Sequence, residues 1–213
     1  MQPPFNVSFR AKGIACERGG RDLFADLNFD LAPGEGLMVR GPNGSGKTSL
    51  LRQIAGLLPL TEGQFSVMGA EANTPVCELC HYVGHLNAVK SALSVRENLA
   101  FWTDFLGGGE TQEAMAVFGL TPLAEISAGL LSAGQKRKLA LSRLFTAPRP
   151  LWLLDEPSVS LDAASVRRLG QAIRNHLKAG GLAIVSTHVP LGIKFAHTLT
   201  LDSEQTPNLE SAV

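Results

Sequence analysis

The sequence predicts an α/β fold. Short apolar runs alternate with stretches of helical periodicity along 213 residues, and no segment is repeated or low in complexity. One run, "GEGLMVR", leads through the glycine-rich "GPNGSGKT" into "SLLRQIAGLL", whose apolar residues fall at helical spacing, so strand, loop and helix follow directly. With 45% hydrophobic residues a chain of this length buries a sizeable core, and a single domain over residues 1–213 is expected.

The remaining elements follow in order. "GQFSVMG" and "CHYVGH" read as short strands. Ser94 and Glu97 in "SVRENLAFWTDFLGG" make a capping box that opens a helix, and the glycines close it. From about residue 86 to 145 the pattern is mostly helical, which points to a helical insert in the α/β core. Strands return with "LWLLDE", then a helix from about 162 to 178, then "GLAIVSTH" and "HTLTLD". Phe24 is expected in the core, and "KRK" at 136–138 reads as a solvated helix face.

Nineteen basic residues balance nineteen acidic ones, so no global field favours nucleic acid or an anionic membrane. The first ten residues lack an apolar stretch of leader length, and no apolar run approaches the roughly 20 residues that span a bilayer. A cytosolic protein, or one held to a membrane by a partner, is expected. Three cysteines (Cys16, Cys77, Cys80) do not make a disulfide scaffold, which agrees with a reducing compartment.

The chemistry lies in two stretches. Gly41, Pro42, Asn43, Gly44, Ser45, Gly46, Lys47 and Thr48 form a phosphate-binding loop in the required context of strand before and helix after. Loop glycines let backbone N–H groups turn inward around a β-phosphate, and the following helix adds its positive end. Lys47 would reach the β/γ oxygens and Thr48 would hold Mg²⁺. "LWLLDE" delivers two carboxylates at the end of a buried strand, where α/β proteins bind ligands. Asp155 would anchor Mg²⁺ through the second coordination shell, and Glu156 would act as general base on the attacking water.

"LSAGQ" at 131–135 resembles the signature of the ATP-binding-cassette (ABC) ATPases, usually LSGGQ, with Ala133 in place of the first glycine. "VSLD" at 159–162 resembles the family's D-loop, and His188 in "STHVP" its switch histidine. The resemblance implies a RecA-like phosphate-loop core with a β-subdomain and an inserted helical signature subdomain, using ATP and Mg²⁺. It also implies a head-to-tail homodimer in which each ATP lies between one copy's phosphate loop and the other's Ser132, Gly134 and Gln135. His188 would contact the γ-phosphate. Asp162 would link the two sites, although by itself it also reads as a helix N-cap. Two positions depart from the family: Arg18 stands where an aromatic residue usually stacks on adenine, and His85 where the Q-loop glutamine falls.

Ala133, the histidine of "YVGH", "SVRENLAFW" and "RPLWLLDEP" together resemble the ATP-binding subunits of the bacterial cytochrome c maturation system. That resemblance implies an integral membrane permease-type partner and other maturation proteins, at the cytoplasmic face of the inner membrane, with movement of haem or release of a haem-loaded chaperone as the output. Phe101, Trp102 and Phe105 are a candidate docking surface, with core packing as the alternative. No nucleic-acid partner is expected. An ATPase subunit for another small cargo, or a soluble ABC-type mechanical ATPase, stands as the alternative function. "CELCH" at 77–81 has the spacing of covalent haem attachment, but Cys80, His81 and Tyr82 fall in an expected strand. Packing is therefore expected there and covalent haem is not, with a redox or metal role as the alternative.

Overall fold

The computed structural model describes residues 5–71, 74–109, 111–202 and 208–211. Strands β1 (Ser8–Arg18) and β2 (Arg21–Leu31) form an antiparallel hairpin that the apolar-run reading does not anticipate. Register shifts at Ile14, Cys16 and Glu17 break the two-residue alternation that marks a half-buried strand. Gly19 and Gly20 close the hairpin at φ 61° and 75°, the positive values a two-residue turn between right-twisted strands requires.

After the hairpin come β3 (Gly36–Arg40), helix α1 (Lys47–Ile54) and β4 (Glu62–Met68). β4 pairs with β1, completing a three-stranded antiparallel sheet in the order β2-β1-β4. α1 ends earlier than its apolar pattern suggests, because the chain turns at Gly56 with φ 69°.

The second sheet is built from β5 (Cys80–Val83), β6 (Leu151–Asp155), β7 (Leu182–Ser186), β8 (His197–Thr200) and β9 (Asn208–Ser211), with β3 at its centre. The order is β5-β6-β7-β3-β8-β9, parallel throughout except for the β8–β9 pair. Every residue of β6 and β7 is buried, which explains why these strands read as continuous apolar runs rather than alternating ones. Parallel pairing also brings the C-terminal ends of β3, β5, β6 and β7 to one edge, and the loops leaving that edge carry the residues of interest.

Helix α2 (Val95–Leu106) has the capping box that its sequence announces: Glu97 N–H donates to Ser94 Oγ at 3.2 Å and Ser94 N–H to Glu97 Oε2 at 2.7 Å. It ends at Gly107 in the left-handed region. Helices α3 (Thr111–Val117) and α4 (Ala133–Ser142) pack with it around a separate small core of Val95, Leu99, Met115 and Leu139. Helix α5 (Ala163–Lys178) covers β6 and β7, with Asp162 capping it by accepting from Ser165 N–H at 2.7 Å. Phe24 is buried in the core between the two sheets. Among the described residues no helix is long and apolar enough to cross a membrane.

Candidate functional site

The loop between β3 and α1 wraps a cavity of about 370 Å³ whose walls include Arg18, Asn43, Lys47, Thr48, Asp155 and Glu156. Gly41 sits at φ 143°, and a Cβ there would lie 2.1 Å from Leu201 O and 2.6 Å from Ser45 Oγ, so no side chain is compatible with this backbone. Lys47 folds back over the loop and donates from Nζ to Gly41 O at 2.7 Å and Pro42 O at 2.8 Å. Burial lowers its pKa, with Glu156 and Asp155 opposing that shift. A partly desolvated ammonium held on neutral carbonyls is ready to exchange them for an anion.

Asp155 ends β6 almost wholly buried, and both its oxygens are used: Thr48 Oγ1 donates to Oδ2 at 2.8 Å and Ser186 Oγ to Oδ1 at 2.7 Å. The first of these bonds ties together residues 107 apart in sequence. Thr48 and Asp155 thus offer a hydroxyl and a carboxylate side by side, the oxygen chemistry a hard divalent cation takes. Ser45 Oγ is buried in the loop without a protein partner, a further polar atom available to a ligand.

Glu156 follows in the left-handed region at φ 46°, unusual for a residue with a long side chain. Its N–H donates to Ser186 O at 2.9 Å, and its Oε2 accepts from His188 N–H at 3.4 Å. His188 Nε2 stands 3.3 Å from Glu156 Oε1, on a side chain that is mostly solvent-facing. The turn after β6 and the turn after β7 therefore meet at Glu156, although His188 lines a separate cleft and not the phosphate cavity itself.

Arg18 reaches this site from the end of β1 and lines the cavity. His85 does not: it lies two residues beyond β5, exposed, outside the lining of the phosphate cavity. Ser132, Gly134 and Gln135 also lie apart from it. They open α4, where Ser132 and Gln135 form a capping box (2.8 and 3.2 Å) and Gly134 packs close to Ser160 O. Asp162, besides capping α5, pairs with Lys138 at 2.8 Å, and these bonds hold its carboxyl below the usual range.

Two residues of this region went unread in the sequence. Ser186, which orients Asp155, hides at the end of an apolar strand. Arg137 overturns the expectation of a solvated "KRK" face: its side chain is only 3% exposed and donates to five oxygens. Ala140 and Leu141, three and four positions on, are buried on the same side of α4, so helical periodicity was the available signal.

The "CELCH" segment is built into the fold. Cys80 is buried, its thiol pushed up to about 12, and Sγ donates to Cys77 O at 3.5 Å. His81 is buried with Nε2 on Ala147 O at 2.8 Å, and burial pushes its pKa down to about 4. Of the three cysteines, Cys77 is exposed and Cys16 and Cys80 are buried.

Comparison with known proteins agrees with this geometry. The family model for ABC transporters matches residues 24–159. The chain is 51% identical over 189 residues to the cytochrome c biogenesis ATP-binding export protein CcmA of Bradyrhizobium diazoefficiens, covering 88% of this chain and 94% of that protein. It is 49% identical over 205 residues to the protein of the same name from Rhodospirillum rubrum, covering 94% and 88%. A solved structure of an ATP-binding subunit of an ABC transporter superposes with a TM-score of 0.84 at 20% identity, over 95% of this chain and 89% of that one, a likeness of fold. With its phosphate loop, carboxylate turn and signature helix in these places, the chain belongs to the ABC transporter family.

Proposed function

We propose that this chain is the ATP-hydrolysing subunit of a membrane export complex for cytochrome c biogenesis, acting as a homodimer at the cytoplasmic face of the bacterial inner membrane. Its output is movement of haem or release of a haem-loaded chaperone. The observation that supports the catalytic part is the Thr48–Asp155 bond, which sets a hydroxyl and a carboxylate beside Lys47 and Glu156 in one cavity. The relatives' names supply the pathway.

In this reading the loop from Gly41 to Thr48 cradles the triphosphate and Lys47 exchanges its carbonyls for phosphate oxygens. Mg²⁺, held by Thr48 and anchored through Asp155, would supply positive charge against the phosphates. Glu156 takes a proton from water as its oxygen bonds to the γ-phosphorus. The bond from that phosphorus to the bridging oxygen breaks, and ADP leaves with the electron pair. His188, beside Glu156, would sense the γ-phosphate, and Arg18, on the cavity wall, would stack on the adenine. Ser132, Gly134 and Gln135, outside the lining of their own copy's cavity, serve the other copy's ATP, with Asp162 near that junction. His85 belongs to the loop that reads the membrane partner.

The partner's place is an apolar groove of about 430 Å³ between α2 and the residues after β5, where Leu57, Leu86 and Phe105 (71% exposed) offer uncovered hydrophobic surface. Phe101 and Phe105 stack in parallel while Trp102 meets both edge-on and lies under the Arg143 guanidinium, so Trp102 forms the floor and Phe105 the rim. Glu156→Gln tests the whole reading: it should bind ATP, hydrolyse it slowly, and co-purify from membranes with haem-handling membrane proteins. Recovery with ribosomes or DNA, or hydrolysis at the parent rate, contradicts it.

A further inference from the structure

The buried guanidinium of Arg137 does not line the phosphate cavity but bonds the turn behind it. Nη2 donates to Glu156 O at 2.8 Å and Asp155 O at 3.1 Å, and Nε donates to Pro157 O at 3.1 Å. On the other side of the fork, Nη1 donates to Gly84 O at 2.7 Å and Asn87 Oδ1 at 3.1 Å. All five acceptors are neutral oxygens, so a full charge is buried without a bonded carboxylate among the described residues. Burial lowers the pKa of the group, and Asp155 and Glu156 oppose that effect. An apolar side chain would fill such a space with less desolvation cost, so packing alone does not account for an arginine here.

What the arginine fixes is the turn that carries Glu156. That residue is in the left-handed region, a conformation that persists only where the surroundings over-determine it. Its N–H is held by Ser186 O and its C=O by Arg137, so each end of the strained unit is pinned. The same guanidinium grips the loop that leaves β5, whose following residue Ala88 is also left-handed at φ 50°.

We propose that Arg137 is the positioning residue for Glu156, holding the 155–157 turn so that the carboxylate faces the phosphate cavity and keying that turn to the loop at residues 84–87. The inference rests on the reading of Glu156 as general base. Lysine cannot replace the arginine, because a single ammonium does not reach both sides of the fork.

The test compares Arg137→Gln and Arg137→Lys with the parent, in the parent and Glu156→Gln backgrounds. Both variants should bind a fluorescent ATP analogue with KM and affinity within about twofold of the parent, because no phosphate contact is removed. Their kcat should fall about 100-fold, the scale of a misplaced catalytic group. In the Glu156→Gln background the same substitutions should cost almost nothing further, since there is no base left to misplace. Parent-like kcat in the Arg137 variants, alongside slow Glu156→Gln, overturns the inference and leaves the reading of Glu156 intact. An equal loss in both backgrounds overturns it too. Fast hydrolysis by Glu156→Gln alone removes the base itself and this inference with it. If Arg137→Gln is recovered unfolded, Asn87→Ala, which deletes one loop-side acceptor, carries the test: a kcat loss that vanishes with Glu156→Gln supports the proposal, and an unchanged kcat overturns it.

Discussion

Acidification from pH 7 to 5 should weaken this fold through two buried histidines that do not line the phosphate cavity. His176 stacks flat on Trp152 with ring centroids 4.0 Å apart, and its Nε2 faces Pro150 O at 3.2 Å and Leu182 O at 3.1 Å. Carbonyls only accept, so Nε2 carries the proton and Nδ1, buried and unpartnered, would receive the second. His81 bonds Ala147 O and lies near Arg143 and Arg149. Burial pushes both pKa values from 6.5 down to about 4. Between those values the unfolded chain binds more protons than the folded one, so stability is full above pH 6.5 and falls as pH drops toward 4. Each histidine then removes roughly 2 kcal/mol by pH 5. At a slope of roughly 2 kcal/mol per molar, the pair lowers the urea midpoint by about 2 M. Unfolding curves by tryptophan fluorescence at half-unit pH steps measure this directly. His176→Phe keeps the stack and deletes the titrating nitrogen, and should remove about half of the pH-dependent shift. A shift unchanged in both His176→Phe and His81→Phe would mean that neither histidine is the group that titrates.

Two further outcomes follow from the site and its neighbourhood. Iodoacetamide at pH 7.5 should label Cys77 and spare Cys80 until the chain is unfolded, because the buried thiol resists ionisation; mass spectrometry of the peptides reads the ratio, and equal labelling contradicts the packing described. Gly41→Ala should abolish binding of a fluorescent ATP analogue, since its Cβ would collide with Leu201 O and force the loop open; retained affinity would mean that the loop is not the phosphate cradle.

Much of this architecture was legible because it is local. The strand, glycine loop and helix at residues 36–54, the apolar strand ending in Asp155 and the Ser94–Glu97 box each concentrate their physics in a few neighbouring residues. The hairpin at residues 8–31 was not, because bulges scramble its alternation. β9 pairs at the sheet's edge with all four residues exposed, so it carries no burial pattern to read. Within the site, Thr48, Asp155 and Glu156 announced themselves by residue type. Arg137 did not, since charge between two lysines suggests solvent, and only the acceptors gathered from residues 84–87 and 155–157 make its burial tolerable. Likewise Ser132 and Gly134 lie outside the lining of the phosphate cavity, so residue type alone does not tie the signature motif to the phosphate loop.

The mass in solution of Glu156→Gln, by light scattering with Mg²⁺ and either ATP or ADP, tests most directly whether two copies clasp the nucleotide. The account predicts twice the chain mass with ATP, a single chain with ADP, and a single chain with ATP when Ser132→Arg is added to block the signature helix. A single chain under every condition, with ATP demonstrably bound, would contradict it.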